Sequence, residues 1–104
     1  MRIRVSATSN SLDPKEIDAI ERDFEKIDRR LQDLDEVTAE VRVDDAHGNP
    51  GYHVTAELHY RRNHLIAKTD HTELGQAVRA AREDLLRQIN DRSRGGHSSF
   101  AKKR

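Results

Sequence analysis

The chain has 104 residues, 34% of them hydrophobic and 37% charged, and its 19 basic and 19 acidic side chains give a formal net charge of zero. That length holds one domain with a lean, mainly aliphatic core, since Trp is absent and only two Phe and two Tyr are present. The absence of Cys excludes disulfides, thiol catalysis and thiolate metal sites, and the zero charge excludes a whole-protein basic field, so an anionic partner must be met by local clustering.

Residues 2–7 alternate polar and apolar, which predicts a strand half-buried on one face. Thr8-Ser9-Asn10-Ser11-Leu12 reads as a polar connection. Asp13-Pro14-Lys15-Glu16 then opens a helix, with Asp13 as N-cap, Pro14 at the first helical position and Glu16 reaching back as a capping box. Between Asp13 and Asp35, Ile17, Ile20, Phe24, Ile27, Leu31 and Leu34 recur at spacings of 3-4-3-4-3, one stripe of an amphipathic helix. At about 100° per residue, Lys15, Arg22, Lys26 and Arg29 project from the opposite side, with Arg30 beside them.

Val37 to Val43 alternates again and predicts a second strand; residues 44–51 are dense in turn formers. Val54, Ala56, Leu58 and Tyr60 share one face of a third strand, opposite His53, Thr55, Glu57, His59 and Arg61. Arg62-Asn63 fits a tight turn into a fourth strand through Leu65 and Ala67. That register sets Tyr60 against Leu65, Leu58 against Ala67 and Glu57 against Lys68. Asp70 or Thr72 then caps a second helix whose buried stripe is Leu74, Val78, Ala81, Leu85 and Ile89.

From Asn90 the periodicity is lost. Ser93 to Ser99 is flexible by composition, and Phe100 to Arg104 ends in the basic run Lys102-Lys103-Arg104. The expected division is therefore a domain over 1–92 and a flexible basic tail over 93–104. The order β-α-β-β-β-α, with one apolar face per strand, predicts an α+β two-layer sandwich: a four-stranded mixed sheet with two helices on one face. The first crossover is long enough to return the second strand parallel to the first.

The cationic row on the first helix is the main candidate for contact with an anion, because Arg engages two phosphate oxygens at once. Arg79 and Arg87 lie off the apolar stripe of the second helix, and Arg82 lies at its margin, placed to snorkel. A plain solvated face is the competing reading, since Glu25 and Asp33 stand at helical spacing from these cations. No metal site is expected. His53 and His59 share a strand face but sit about 20 Å apart. His59 and His64 approach across the hairpin as two ligands without a carboxylate partner, and Glu57 is read as the partner of Lys68. A Glu57–His59 acid/base pair has no nucleophile or oxyanion donor beside it, so no catalytic residue is expected. Gly48 and Gly51 lack the spacing of a phosphate loop. No stretch approaches the roughly 20 apolar residues of a membrane span, and Met1 leads into a segment too short and polar for a signal peptide, so the expected location is cytoplasmic.

The pattern from residue 1 to about 92 resembles the ribosome hibernation-promoting factor family, also called ribosome-associated inhibitors or ribosomal subunit interface proteins, in its short form. The resemblance rests on Phe24-Glu-Lys-Ile-Asp-Arg-Arg-Leu31, on Ala56-Glu-Leu-His-Tyr60 with His64-Leu-Ile-Ala-Lys68, and on Asp70 to Ile89 with Ala77-Val78 and Leu85-Leu-Arg-Gln-Ile89. It implies the β-α-β-β-β-α fold of double-stranded RNA-binding domains. It also implies binding to 16S rRNA of the small ribosomal subunit at the decoding region, blocking mRNA and tRNA sterically in stationary phase or under stress. No catalytic residue, cofactor, membrane or small-molecule substrate goes with it. The matching positions that keep a cation are Lys26, Arg29 and Arg87. Asp23 and Asp84 stand where many members have Lys, Gly75 replaces a larger residue, and the usual Lys-rich stretch after the second helix is reduced to Asn90-Asp91-Arg92-Ser93-Arg94. The full RNA-contact set expected here is Lys15, Arg22, Lys26, Arg29, Arg30, Arg79, Arg82 and Arg87. The alternative is a protein-interaction module of the same fold that pairs through an exposed edge of the first or fourth strand. A homodimer through the polar sheet face or an edge strand is also compatible with the sequence.

Overall fold

The computed structural model describes residues 1–7, 12–45 and 51–101, with side chains given except for Asp45 and residues 93–101. The connection at 8–11, the turn centred on 46–50, and Lys102, Lys103 and Arg104 lie outside the described residues, as does the Phe100 side chain. The elements run β1 (Arg2–Ala7), α1 (Pro14–Arg30), β2 (Thr38–Asp45), β3 (Tyr52–Tyr60), β4 (Asn63–His71) and α2 (Leu74–Ala101). The sheet order is β1-β2-β3-β4, with β1 and β2 parallel and the other pairs antiparallel. This is the expected α+β sandwich with a mixed sheet.

Alternation decides the layers. Ala39, Val41 and Val43 of β2, Val54, Ala56, Leu58 and Tyr60 of β3, and Leu65 and Ala67 of β4 are all buried. They meet Ile20, Phe24 and Ile27 of α1 and Ala77, Val78, Ala81, Leu85 and Ile89 of α2. Phe24 is fully buried in an otherwise aliphatic interior, as the composition requires. Among the described residues the opposite face of the sheet carries no helix, and it presents Arg4, Glu40, Glu57, His59, His64, Ile66 and Lys68.

The start of α1 follows the sequence closely. Glu16 N–H donates to Asp13 Oδ1 at 2.9 Å and Asp13 N–H donates to Glu16 Oε1 at 3.1 Å, a reciprocal capping box with Pro14 behind it. Asp13→Ala is expected to cost about 1 kcal/mol, a fall of about 4–8 °C in thermal midpoint, readable by circular dichroism. The helix stops sooner than the apolar stripe does. Leu31 N–H is shared between the carbonyls of Ile27 (3.0 Å) and Asp28 (3.2 Å), which tightens the last turn. Leu31 still joins the core, and Leu34 packs against it from the following turn.

Two expectations about β4 are corrected. The turn is Arg61-Arg62 rather than Arg62-Asn63, because Tyr60 pairs with Asn63. Leu58 therefore faces Leu65, Ala56 faces Ala67, and Lys68 faces Thr55 instead of Glu57. Arg61 adopts the left-handed conformation (φ 54°) that a two-residue hairpin loop needs at its first position, usually the place of glycine. Neither Asp70 nor Thr72 caps α2. Strand pairing carries β4 through His71, and the Asp70 carboxylate contacts His53 across the hairpin. The N-cap position falls to Glu73, whose carbonyl accepts from Ala77 N–H (3.1 Å) and whose own N–H donates to His71 Nδ1 (3.1 Å). Gly51 (φ 130°) is fixed by close approach: a Cβ there would lie 2.8 Å from the His71 carbonyl oxygen. Gly75, by contrast, has open space around it, so packing does not demand its size. The backbone of α2 continues to Ala101, past Asn90 where the apolar periodicity ends.

Candidate nucleic-acid interface

The helices are held side by side by polar contacts that also give their direction. Asp23 of α1 accepts from Arg82 Nη1 of α2 at 3.2 Å, and a turn or two later Arg30 Nε donates to Asn90 Oδ1 at 3.2 Å. Both residue numbers rise together, so α1 and α2 run parallel. Asp23 and Arg30 therefore mark the flank of α1 that faces α2. Asp28, bonded to the amino group of Met1 at 3.1 Å, marks the flank toward β1.

With those flanks fixed, the charges of α1 are sorted. At about 100° per residue, Lys15, Arg22 and Lys26 fall between the solvent side and the flank facing α2, whereas Asp18, Glu21 and Glu25 fall toward β1. All six side chains are exposed. Arg29 lies on the boundary and reaches Glu25 at 3.9 Å while staying largely in solvent. On α2, Arg79 lies between Arg82 and Asn90 in rotation, so it borders the same seam, and its level on the parallel helix is within one turn of Arg22. Lys15, Arg22, Lys26 and Arg79 make no ion pair among the described residues. From Lys15 to Arg29 the row extends about 21 Å along the helix.

Three of the expected contact residues are placed otherwise. Arg82 is buried, 5% exposed, and held between Asp23 and Glu83, both at 3.2 Å; its guanidinium is a clasp between the helices, not a snorkelling surface cation. The reason is its neighbour: the margin of the α2 stripe lies against α1, so a side chain there is covered. Its Nε finds no hydrogen-bond partner among the described residues. Arg87 is exposed but lies on the far flank of α2, paired with Asp84 at 3.0 Å. Arg30 is exposed and tied to Asn90, at the end of the seam.

The same contacts explain two sequence departures noted above. Asp23 is acidic where it meets a buried Arg82, and Asp84 is acidic beside Arg87. Charges that read as missing cations are partners of cations on α2.

The structure also brings to the expected Arg30 two cations that the sequence reading did not assign, Arg61 and Arg92. Arg30, Arg61 and Arg92 line a groove of about 400 Å³ with one acid, Asp33, and with Tyr60, Asn63 and Ile89, where the end of α1, the β3–β4 turn and α2 converge. Arg92 Nη1 donates to Asn63 Oδ1 at 3.3 Å. The adjacent pair Arg61-Arg62 in a turn was the available signal; its closeness to Arg30 depends on the hairpin register.

Among the described residues no helix is long and apolar enough to cross a membrane. No protein-family model and no curated relative matches the chain. Solved structures do share its fold, among them the following two. The N-terminal domain of Protein Y from Thermus thermophilus superposes with a TM-score of 0.75 at 19% identity, covering 86% of this chain and 96% of that one. A ribosomal subunit interface protein from Coxiella burnetii superposes with a TM-score of 0.78 at 12% identity, covering 89% and 98%. The chain has the fold of these two proteins. The second carries one of the names of the family that the sequence resembles, and both match this chain along nearly their whole length.

Proposed function

We propose that this protein is a non-catalytic, cytoplasmic ribosome-binding protein of the hibernation type. Its helix seam contacts 16S rRNA of the small subunit, and the domain fills space that mRNA and tRNA need, so inhibition is steric. The observation that carries this reading is the sorting of α1: unpaired, exposed cations toward α2 and acids toward β1, on a chain whose net charge is zero. A purely solvated face has no reason to segregate its signs, since interleaved charges pair at helical spacing. Exposed Arg and Lys that are not committed to intramolecular pairs are free to meet phosphate. The fold shared with a ribosomal subunit interface protein supports the same reading.

The edge-strand alternative finds less support. β4 is one edge of the sheet, and Gln88 Nε2 from α2 donates to the Ile66 carbonyl at 3.0 Å, occupying an acceptor that an added strand would use. β1, the other edge, exposes Arg2 and Arg4, and charge on an edge discourages pairing.

Co-sedimentation with whole ribosomes and isolated small subunits across a salt series tests the proposal. Each phosphate contact contributes about 0.7–0.9 to the log–log salt slope, so four seam cations predict a slope of about −3 or steeper. Absence of binding at low salt by a folded protein overturns it.

A further inference from the structure

On the open face of the sheet, away from the helix seam, the hairpin brings together three metal-ligating groups. We propose that Glu57, His59 and His64 form a binding site for a divalent d-block cation, with Zn²⁺ its best match. His59 and His64 are directly opposed across β3 and β4, and Glu57 is two residues before His59 on the same face. Their ligand atoms all lie within 4.8 Å of one another. Both imidazoles turn Nε2 toward one carboxylate oxygen: His64 Nε2 is 2.8 Å and His59 Nε2 is 3.9 Å from Glu57 Oε1. The rings stack with centroids 4.1 Å apart and planes 15° from parallel, which holds both edges on the same side.

The chemistry of the set fits. Zinc bonds to imidazole nitrogen and carboxylate oxygen are about 2.0–2.2 Å long, so neighbouring ligand atoms in a tetrahedral site stand about 3.4 Å apart. The observed separations bracket that value, and rotation of two half-exposed rings closes the difference. Two His and one carboxylate leave a fourth position for water or for a group from another molecule. A preformed two-strand ladder supplies all three ligands, so little chain entropy is lost on binding. The surroundings favour a cation as well: His59 borders a groove of about 390 Å³ lined by Asp33, Asp35 and Glu36 against a single cation, Arg61. An adventitious cluster would leave the site indifferent to which of the three groups is removed; chelation makes each one necessary.

The full chain, freed of metal with a chelator, is titrated with Zn²⁺ at about pH 7.5, where free imidazole is mostly neutral and able to ligate. Calorimetry follows stoichiometry and affinity, and imidazole nitrogen NMR follows the ligands. The expected result is saturable binding of one ion, with shifts at His59 and His64. Glu57→Gln and His64→Asn should each weaken binding at least about tenfold. His53→Ala, further along the same face and paired with Asp70, should leave it unchanged. Co²⁺ should give the visible absorption of a four-coordinate site. The proposal is overturned by non-saturable binding, or by affinity that survives both substitutions while circular dichroism shows all variants folded.

Discussion

Replacing Arg22, Lys26 and Arg79 together by Glu is expected to abolish ribosome binding while leaving the fold intact. The three side chains are exposed and make no ion pair among the described residues, so nothing in the interior depends on them. Each cation–phosphate contact at an exposed rim is worth about 1 kcal/mol, so losing three costs at least about 100-fold in affinity before repulsion is added. The salt slope should flatten by about three, one for each contact removed. Arg87→Glu is the matched control: it lies on the far flank of α2 beside Asp84, and its binding loss should be smaller than that of Arg79→Glu. Co-sedimentation at two salt concentrations, with thermal melts in parallel, reads all four proteins. Equal losses for Arg79→Glu and Arg87→Glu would mean that the seam is not the contact surface.

The second large effect lies beneath that surface. Asp23→Ala is expected to destabilise the protein by about 2–3 kcal/mol, lowering its thermal midpoint by about 10–20 °C. Arg82 has a side chain only 6% exposed, and an arginine cannot shed its proton to escape burial. Removing Asp23 leaves that charge with Glu83 alone. The cost stays below the 3–5 kcal/mol of a fully enclosed pair because Asp23 is itself 29% exposed and Glu83 remains. Arg82→Met has the opposite expectation. It removes the charge and its orphaned Nε together, keeps an unbranched side chain in the interhelical gap, and should be neutral or stabilising. Most telling is the double variant: Asp23→Ala with Arg82→Met should recover most of the stability lost by Asp23→Ala alone. Chemical denaturation of the four proteins gives the coupling directly, and additive losses would remove the clasp from the account of how α1 and α2 are held.

These two experiments draw on different layers of what the chain encodes. The exposed row on α1 was legible because it needs only the helical period and the position of the apolar stripe, both printed in the order of residues. The capping box at Asp13 and Glu16 was legible for the same reason: its partners are three residues apart. The role of Arg82 was not. At the edge of a stripe, a side chain is free or buried according to which element lies alongside, and that neighbour is set by the packing of a helix nearly sixty residues away in sequence. Asp23 and Asp84, read alone, looked like lost cations; beside Arg82 and Arg87 they are their counter-charges.

The sheet divides in the same way. Period two settled which residues of β3 and β4 face the core, and every one of Val54, Ala56, Leu58, Leu65 and Ala67 is buried. It did not settle which residue stands opposite which. A shift of two along a strand keeps every side chain on its face, so the alternation is blind to it. The turn decides, and this turn places a left-handed Arg61 where glycine would have announced it. That shift took Glu57 from Lys68 and gave it to His64, and so created the cluster with His59.

What the sequence determined by itself is therefore everything periodic or local: the order β-α-β-β-β-α, the buried faces, the cap of α1 and the row of outward cations. Only the tertiary structure decided the relations between elements: the parallel seam of α1 and α2, the burial of Arg82, the hairpin register, and the gathering of Arg30, Arg61 and Arg92. The physical reason is that a period fixes a direction around one axis, whereas a contact needs two axes and their relative position, which only the packed core supplies.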